Sequence, residues 1–368
     1  MTTLPILEAV KESPSPSAEQ PNAGSPWNFG FGKEVSFRQL LRALTLKRIW
    51  NVAQASISFL FSAITKRHKV WGVPPVLTIE PTNICNLRCP LCVTGNGSME
   101  RPYGRMDFET YKSLIDEIGE RVLYLVFFNQ GEPYLHRQFN DFVAFAKQRG
   151  IYVTTSTNAH YFDAENAEAV VRSGIDTLIV SVDGATQETY AHYRAGGSLE
   201  KVKDGIRNLA AAKKRLRRKT PFIYMQFLVM RHNEHEIQAM ARLARELEVD
   251  RLLKKNIQVE TFEEAQEWLP RGERYRRYHL RENDFVVKRG GRGVCMRPWL
   301  TTMVNWDGTV VPCCFDKNGH HTTGALHDTS FTTIWNAKTY SQFRQNMLTR
   351  RETIDICKNC NQGIGLFI

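Results

Sequence analysis

Between Val76 and Val259 two textures alternate along the chain: short dense apolar runs, and longer stretches with apolar residues every three or four positions. The dense runs Val76–Glu80, Val122–Phe128, Ile151–Asn158, Thr177–Asp183, Pro221–Met230 and Arg251–Val259 read as strands. The periodic stretches predict helices from Asp107, over Phe139–Gln148, Glu165–Ser173 and Leu199–Lys214, and from His235 to Leu247. Six alternating β/α units imply a parallel sheet covered by helices. Six is short of a closed eightfold barrel. The expected fold is therefore α/β, a partial (β/α)6 TIM-like barrel over 75–265, then a linker over 266–290 and a small C-terminal α+β unit over 291–368.

The pattern before the barrel is different. Residues 1–34 are polar and rich in Pro and Ser, and read as a disordered tail. Ser36 with Gln39 forms a capping-box signal. It opens a basic amphipathic helical segment, 35–74, with apolar residues at Phe37, Leu40, Leu41, Leu44 and Ile49. Seventeen uncharged residues separate Arg48 from Lys66, too few and too rich in Ser, Asn and Gln to span a bilayer. Basic flanks with Trp50 and Trp71 suit a helix lying in a lipid interface. The competing reading is a helix packed across the bottom or side of the barrel.

Charge sharpens this picture. The net charge of +11 is concentrated in two places: residues 33–72 carry eight Lys/Arg against Glu34 alone, and Lys213–Lys219 adds six bases. The second run reads as a solvated helix end; no appended nucleic-acid module is visible, and no nucleic-acid partner is expected. Nothing at the N-terminus resembles a secretory signal. The expected location is the reducing cytoplasm, and under the lipid reading of 36–71 a peripheral position at the inner face of the membrane.

All eight cysteines fall in two groups. Cys85, Cys89 and Cys92 lie on one loop after the first strand, where three thiolates can hold three corners of a four-iron cluster and leave the fourth iron open. Structural zinc is usually closed by four ligands, and the loop offers three and no His. The second group is Cys295, Cys313, Cys314, Cys357 and Cys360. Asp307-Gly308, between β-type residues, predicts a hairpin turn inside it.

The spacing of Cys85, Cys89 and Cys92 resembles the defining motif of the radical S-adenosylmethionine (radical SAM) superfamily. The second group, with Trp299, Gly324 and Trp335-Asn336 read as a helix start, resembles the C-terminal SPASM/twitch module of such enzymes. The resemblance implies one [4Fe-4S] cluster on the first three cysteines, bound S-adenosylmethionine, and one auxiliary [4Fe-4S] cluster on Cys295, Cys313, Cys357 and Cys360, with Cys314 spare. Zinc on those four thiolates is the alternative. It further implies cofactor contacts from Gly131, Glu132 and Pro133, from Ser156, Asn158 and Ser181 at strand ends, and from Arg194 to the cofactor carboxylate. Where relatives often have Thr-Asn-Gly, this chain has Thr157-Asn158-Ala159.

The activity implied is reductive cleavage of S-adenosylmethionine to a 5′-deoxyadenosyl radical and abstraction of a hydrogen atom from a substrate. A flavodoxin- or ferredoxin-type protein is the expected reductant, and the auxiliary cluster the acceptor of an electron. Asp307 and Asp316 are the carboxylates available as a base, against a reading as turn and surface groups. The stretch Arg271–His279 either meets an anionic substrate group or is a solvated linker. The apolar 36–71 segment points to a sugar, lipid or lipid-linked small molecule as substrate. Residues 1–75 show no strand pattern for a peptide-recognition domain, which argues against a leader-dependent maturase. A peptide or protein maturase, or a non-catalytic metal-binding scaffold, is the alternative function.

Overall fold

The computed structural model describes residues 37–288 and 294–360. The tail over 1–34 and the cap at Ser36 lie outside the described residues. Two helices come first, α1 (Phe37–Arg42) and α2 (Leu46–Thr65). They are separate because Thr45, extended at φ −126°, ψ 161°, accepts a hydrogen bond from the Arg48 N–H and starts a new helix.

The barrel follows as β1 (Val76–Ile79), α3 (Phe108–Ile118), β2 (Tyr124–Val126), α4 (Phe139–Gln148), β3 (Tyr152–Thr157), α5 (Ala164–Ser173), β4 (Thr177–Ser181), α6 (Gln187–Tyr193), α7 (Leu199–Arg215), β5 (Phe222–Val229), α8 (Ile237–Glu246) and β6 (Arg251–Asn256). Strands β1 to β6 are adjacent in chain order and parallel throughout. One apolar core joins Leu77, Ile79, Leu125, Val153, Leu178, Val180, Met225 and Phe227 of the strands to Leu114, Phe142, Val170, Ile206 and Met240 of the helices. Burial of a side chain of that size contributes roughly 1.5–3 kcal/mol.

Helix α9 (Phe262–Trp268), capped by a Thr261/Glu264 capping box, runs from the end of the expected barrel span into the expected linker, which also holds the antiparallel pair β7 (Tyr278–Leu280) and β8 (Phe285–Val287). Beyond it come α10 (Arg297–Leu300), β9 (Thr301–Val304), β10 (Thr309–Val311), β11 (Gly324–Ala325), α11 (Phe331–Asn336), α12 (Lys338–Thr349) and α13 (Asp355–Lys358). The turn at Asp307-Gly308 joins β9 to β10, with Gly308 at φ +81° and the Asp307 carboxylate accepting from the Thr309 N–H and hydroxyl. Trp335-Asn336 closes α11 instead of starting a helix: Ser330 caps α11 upstream, and Ala337, at ψ 157°, ends it.

Strand β9 pairs in parallel with β1, so the C-terminal unit extends the barrel sheet in the order β11-β10-β9-β1 to β6. At the far edge Asn359 donates to the Val259 carbonyl at 2.6 Å, and Lys317 pairs with Glu260. The C-terminal unit thus touches both edges of the six-stranded arc. Helix α2 lies across the opposite, N-terminal ends of the strands: Arg48 and Asn51 donate to carbonyls of Gly119, Arg121, Arg149 and Gly150, just ahead of β2 and β3. Among the described residues no helix is long and apolar enough to cross a membrane.

The first three bases of the run at the end of α7 are paired within the chain. Lys213 pairs with Asp250, Lys214 with Glu248 and Arg215 with Glu168.

Candidate cofactor pocket and auxiliary site

The pocket begins with the polar residues that end β1. Glu80 is fully buried and binds Arg101 through both carboxylate oxygens, at 2.9 and 3.0 Å. Thr82 and Asn83 bond the backbone of Pro102 and Gly104. These contacts clamp both ends of the loop that carries the cysteines. Within it Gly95 has no room for a side chain, since a Cβ would sit 2.5 Å from the Cys89 nitrogen.

Cys85, Cys89 and Cys92 line one cavity together with Asn129, Gln130, Gly131, Glu132, Ser156, Thr157, Asn158, Ser181, Tyr193 and Arg194. All but Tyr193 and Arg194, which close helix α6, come from the C-terminal ends of β1 to β4 and the loops that follow, as expected of parallel α/β chemistry. Of the residues singled out in the sequence for this pocket, Pro133 is buried beside it in the turn that follows Glu132.

The turn after β2 is locked by close backbone approach. Gly131 stands at φ +75°, and a Cβ on it would lie 2.5 Å from the Thr82 carbonyl oxygen. The Glu132 N–H donates to the Ile84 carbonyl at 2.8 Å, and its carboxylate accepts from the Thr157 hydroxyl and the Asn158 N–H, both at 2.7 Å. Burial pushes the Glu132 carboxyl up to about 7 against those donors. Asn158 reaches back to Asn86 on the cysteine loop at 2.8 Å. Ala159 follows at φ +59°, left-handed backbone that glycine adopts without cost and alanine does not.

Arg194 is held by Asp183: its Nε donates to Oδ2 at 2.5 Å, and Nη1 lies 3.8 Å from the Cys89 sulfur. Asp183 also accepts from the Leu228 N–H at 2.7 Å, fixing the pair to β5. Burial pushes the Cys89 thiol up, and the Arg194 charge opposes it; Cys85 is raised to about 12 by burial. Buried thiols become ligands when a bound metal supplies the positive charge. The Asn129 amide nitrogen, buried without a partner among the described residues, is a donor available to a ligand. Three thiols, a guanidinium and an unpaired donor around one cavity fit an iron–sulfur cluster with a bound carboxylate-bearing cofactor.

The second group also gathers. The Arg297 side chain is buried, with Cys295, Cys313, Cys314 and Cys360 close enough to raise its pKa. Its Nη1 lies 3.6 Å from the Cys314 sulfur, while Nε and Nη2 have no partner among the described residues. Arg351 bonds Cys357, and both Cys295 and Cys357 are raised by burial, the latter to about 11. Cys313 and Cys314 share a hydrogen bond, and the Cys313 thiol with the nearby Arg297 lowers the Cys314 thiol to about 6. No three metal-binding side chains among the described residues converge as a single ion needs. A four-iron cluster spreads its thiolates over separate irons, and two arginines among five cysteines fit its negative charge.

Asp307 is consumed by its turn, and Asp316 accepts from the His320 and His321 N–H groups, so neither stands free as a base. Within Arg271–His279, Arg276 is spent on local carbonyls. A separate cleft lies between the two cysteine groups, lined by Val93, Gln258, Glu260, Phe315, Asp316, Lys317, His320, Asp355, Ile356 and Asn359. The sequence reading missed Glu80, Gly95, Asn129, Gln130 and Asp183. Glu80, an acid closing an apolar strand, was the visible signal among them.

The chain matches the radical SAM superfamily over residues 79–244 and an iron–sulfur cluster-binding domain, SPASM, over 295–361. It is 25% identical over 316 residues to the tungsten-containing aldehyde ferredoxin oxidoreductase cofactor-modifying protein of Pyrococcus furiosus, covering 77% of this chain and 86% of that one. It is 27% identical over 293 residues to the mycofactocin maturase MftC of Mycobacterium ulcerans, covering 74% and 77%. In fold it resembles the Streptococcus suis SuiB structure bound to S-adenosylmethionine, with a TM-score of 0.58 at 14% identity, over 82% of this chain and 75% of that one. The radical SAM domain binds a [4Fe-4S] cluster and S-adenosylmethionine, and the SPASM domain binds auxiliary iron–sulfur clusters. The chain belongs to the radical SAM superfamily and carries a C-terminal SPASM domain.

Proposed function

We propose that the chain is a radical SAM maturase that modifies a peptide or protein. Its cofactors supply one-electron reductive cleavage of S-adenosylmethionine and hydrogen-atom abstraction. The observation that carries the catalytic reading is the single cavity joining Cys85, Cys89 and Cys92 to the Gly131–Glu132 turn, the ends of β3 and β4, and Arg194. In this reading the three cysteines ligate the first cluster, and Cys295, Cys313, Cys357 and Cys360 the auxiliary one. Ser156, Asn158 and Ser181 face the cofactor. Glu132 and Asp183 brace the pocket, orienting Asn158 and Arg194. A flavodoxin- or ferredoxin-type protein supplies electrons.

Two observations support a peptide or protein over a lipid-linked substrate. A relative that aligns over 74% of the chain bears the name of a maturase. The apolar helix α2, which pointed to a lipid-linked substrate, sits at the N-terminal ends of the strands, whereas the pocket is at their C-terminal ends. The cleft between the two cysteine groups is the proposed substrate site; residues next to Cys92, Cys314 and Cys357 line it.

The test is anaerobic. Reconstituted protein with S-adenosylmethionine and dithionite should release 5′-deoxyadenosine and hold about eight irons, against about four and no release for the Cys85/Cys89/Cys92→Ala variant. Extract fractions are then added: stimulation abolished by prior protease treatment supports the maturase reading. Stimulation by lipid extracts, or by protease-resistant fractions, overturns it.

A further inference from the structure

Helix α2 is built inside out. Its buried face is polar: Arg48, Asn51, Ser58 and Ser62, with Ala55 the apolar exception. Its exposed face is apolar: Leu46, Ile49, Trp50, Ile57, Leu60, Phe61 and Ile64. At about 100° per residue, these seven fall within roughly a third of the helix circumference. Leu46 and Ile64 are 86% and 80% exposed, Trp50 64%. Leu41, Leu44 and Trp71, also exposed, adjoin the stripe in sequence. Scattered exposed apolar residues are ordinary, but a continuous stripe along a helix of roughly 30 Å is not.

The inversion has a physical cause on the inner side. Helix α2 covers the turns that enter β1, β2 and β3, where backbone carbonyls need donors. Arg48 donates to the carbonyls of Ala43, Gly119, Arg149 and Gly150, between 2.6 and 3.2 Å. Asn51 donates to those of Val73 and Arg121 and accepts from the Val73 N–H. Ser58 and Ser62 bind the backbone of Lys69, and Ser58 that of Trp71. Rotating the helix to bury its leucines would strip those groups of partners, so the orientation is fixed. The apolar face is therefore not a misplaced core.

We infer that this outward face is a docking surface for an anionic lipid bilayer, with α2 lying in the interface plane. Charge commits the occupant. Between Gln39 and Pro75 there is no acidic residue, and Arg42, Lys66, Arg67 and Lys69 are exposed around the apolar stripe, while Lys47 pairs with Glu120. Basic residues at the margins of an apolar helix face, with Trp50 and Trp71 at the level of the headgroups, are the chemistry of an interfacial helix. A second copy of the chain would bring Arg42, Lys66, Arg67 and Lys69 against their equals. The inference stands apart from the substrate reading, since the face points away from the cofactor pocket.

Full-length protein is mixed with sucrose-loaded vesicles of phosphatidylcholine, with and without phosphatidylglycerol, and sedimented. Binding should be at least about tenfold stronger with the anionic lipid and weaken with salt. Ile57→Ser/Leu60→Ser/Ile64→Ser should lose at least about tenfold while releasing 5′-deoxyadenosine as the parent does. Independently of that variant, the parent's tryptophan emission should shift to the blue on anionic vesicles, and Trp50→Phe/Trp71→Phe should abolish the shift. No sedimentation with anionic vesicles at low salt overturns the inference. So does a dimer by light scattering that the triple-serine variant dissociates, which would make the face an interface between copies.

Discussion

Arg101→Met should cost the protein far more than an ordinary polar substitution. Arg101 and Glu80 form a buried pair, the Arg101 Nη2 donating to both carboxylate oxygens, with side chains 7% and 0% exposed, that closes the base of the cysteine loop. Removing the guanidinium leaves the Glu80 carboxylate buried, with only weak backbone donors such as the Gln130 N–H at 3.3 Å. Stranding one partner of a buried ion pair costs about 3–5 kcal/mol. The bond from Arg101 Nε to the Lys317 carbonyl at 2.8 Å is lost as well, at about 1 kcal/mol. Glu80→Gln strands the cation instead and should cost a similar amount. The double variant Glu80→Gln/Arg101→Met buries no net charge and should cost no more than about 3 kcal/mol, leaving a coupling of at least about 3 kcal/mol. Burial already raises the Glu80 pKa, and losing Arg101 raises it further. A raised carboxyl destabilises the fold as it ionises, so the Arg101→Met penalty should shrink as pH is lowered from 7 to 5. Urea unfolding followed by tryptophan fluorescence measures all four proteins at both pH values. Single variants costing under about 1 kcal/mol, or a double equal to the sum of the singles, would refute the reasoning.

Two further outcomes follow from the other buried groups. His232 packs on His192 and Trp268, with ring centroids at 4.4 and 5.6 Å, its Nε2 is buried without a partner among the described residues, and burial lowers its pKa to about 4. The unfolded chain binds that proton from about pH 6.5 downward and the folded one does not, so wild type should lose stability between pH 7 and 5. After allowance for partial exposure the loss should exceed that of His232→Gln by about 1 kcal/mol, and equal slopes for the two would discount the burial. At the second site, Cys313→Ser should lose the auxiliary iron while Cys314→Ser keeps it, because the Cys314 sulfur is already engaged by Arg297 and Cys313. Iron analysis of the two decides; the reverse result makes Cys314 the ligand.

Strands β1 to β5 were legible because each is a dense, largely buried apolar run, and the longer helices between them show an apolar stripe, whereas β6, at the edge of the arc, leaves Arg251 and Lys254 exposed. The strand-end residues that share a cavity with Cys85, Cys89 and Cys92 were legible for the same reason, since parallel strands deliver their C-terminal ends to one rim. Short elements were not: α6 has few apolar positions to show a period, although the Thr261-x-x-Glu264 box before α9 was readable. Partners set by tertiary packing were also hidden. Nothing local joins Glu80 to Arg101 or Asp183 to Arg194, 21 and 11 residues apart. The seventeen-residue uncharged run announced an apolar helix, but its polar side reads as the wet one until the carbonyls it serves are known.

The way the C-terminal unit meets the barrel makes the two cysteine sites interdependent. A six-stranded arc leaves an unpaired edge on β1 and another beyond β6, and unpaired edges must be covered. Here β9 pairs with β1 through four registered residues, while Asn359 and Lys317 reach Val259 and Glu260 at the other edge. Arg101 adds a tie from the end of the cysteine loop to the Lys317 carbonyl. The Lys317 segment therefore reaches the loop that presents Cys85, Cys89 and Cys92 and the rim of β6 at once, and it follows directly on Cys313 and Cys314. Loosening it at Arg101 should open the cleft between the cysteine groups and slacken the base of the first site together, so that disturbance at either site is felt at the other.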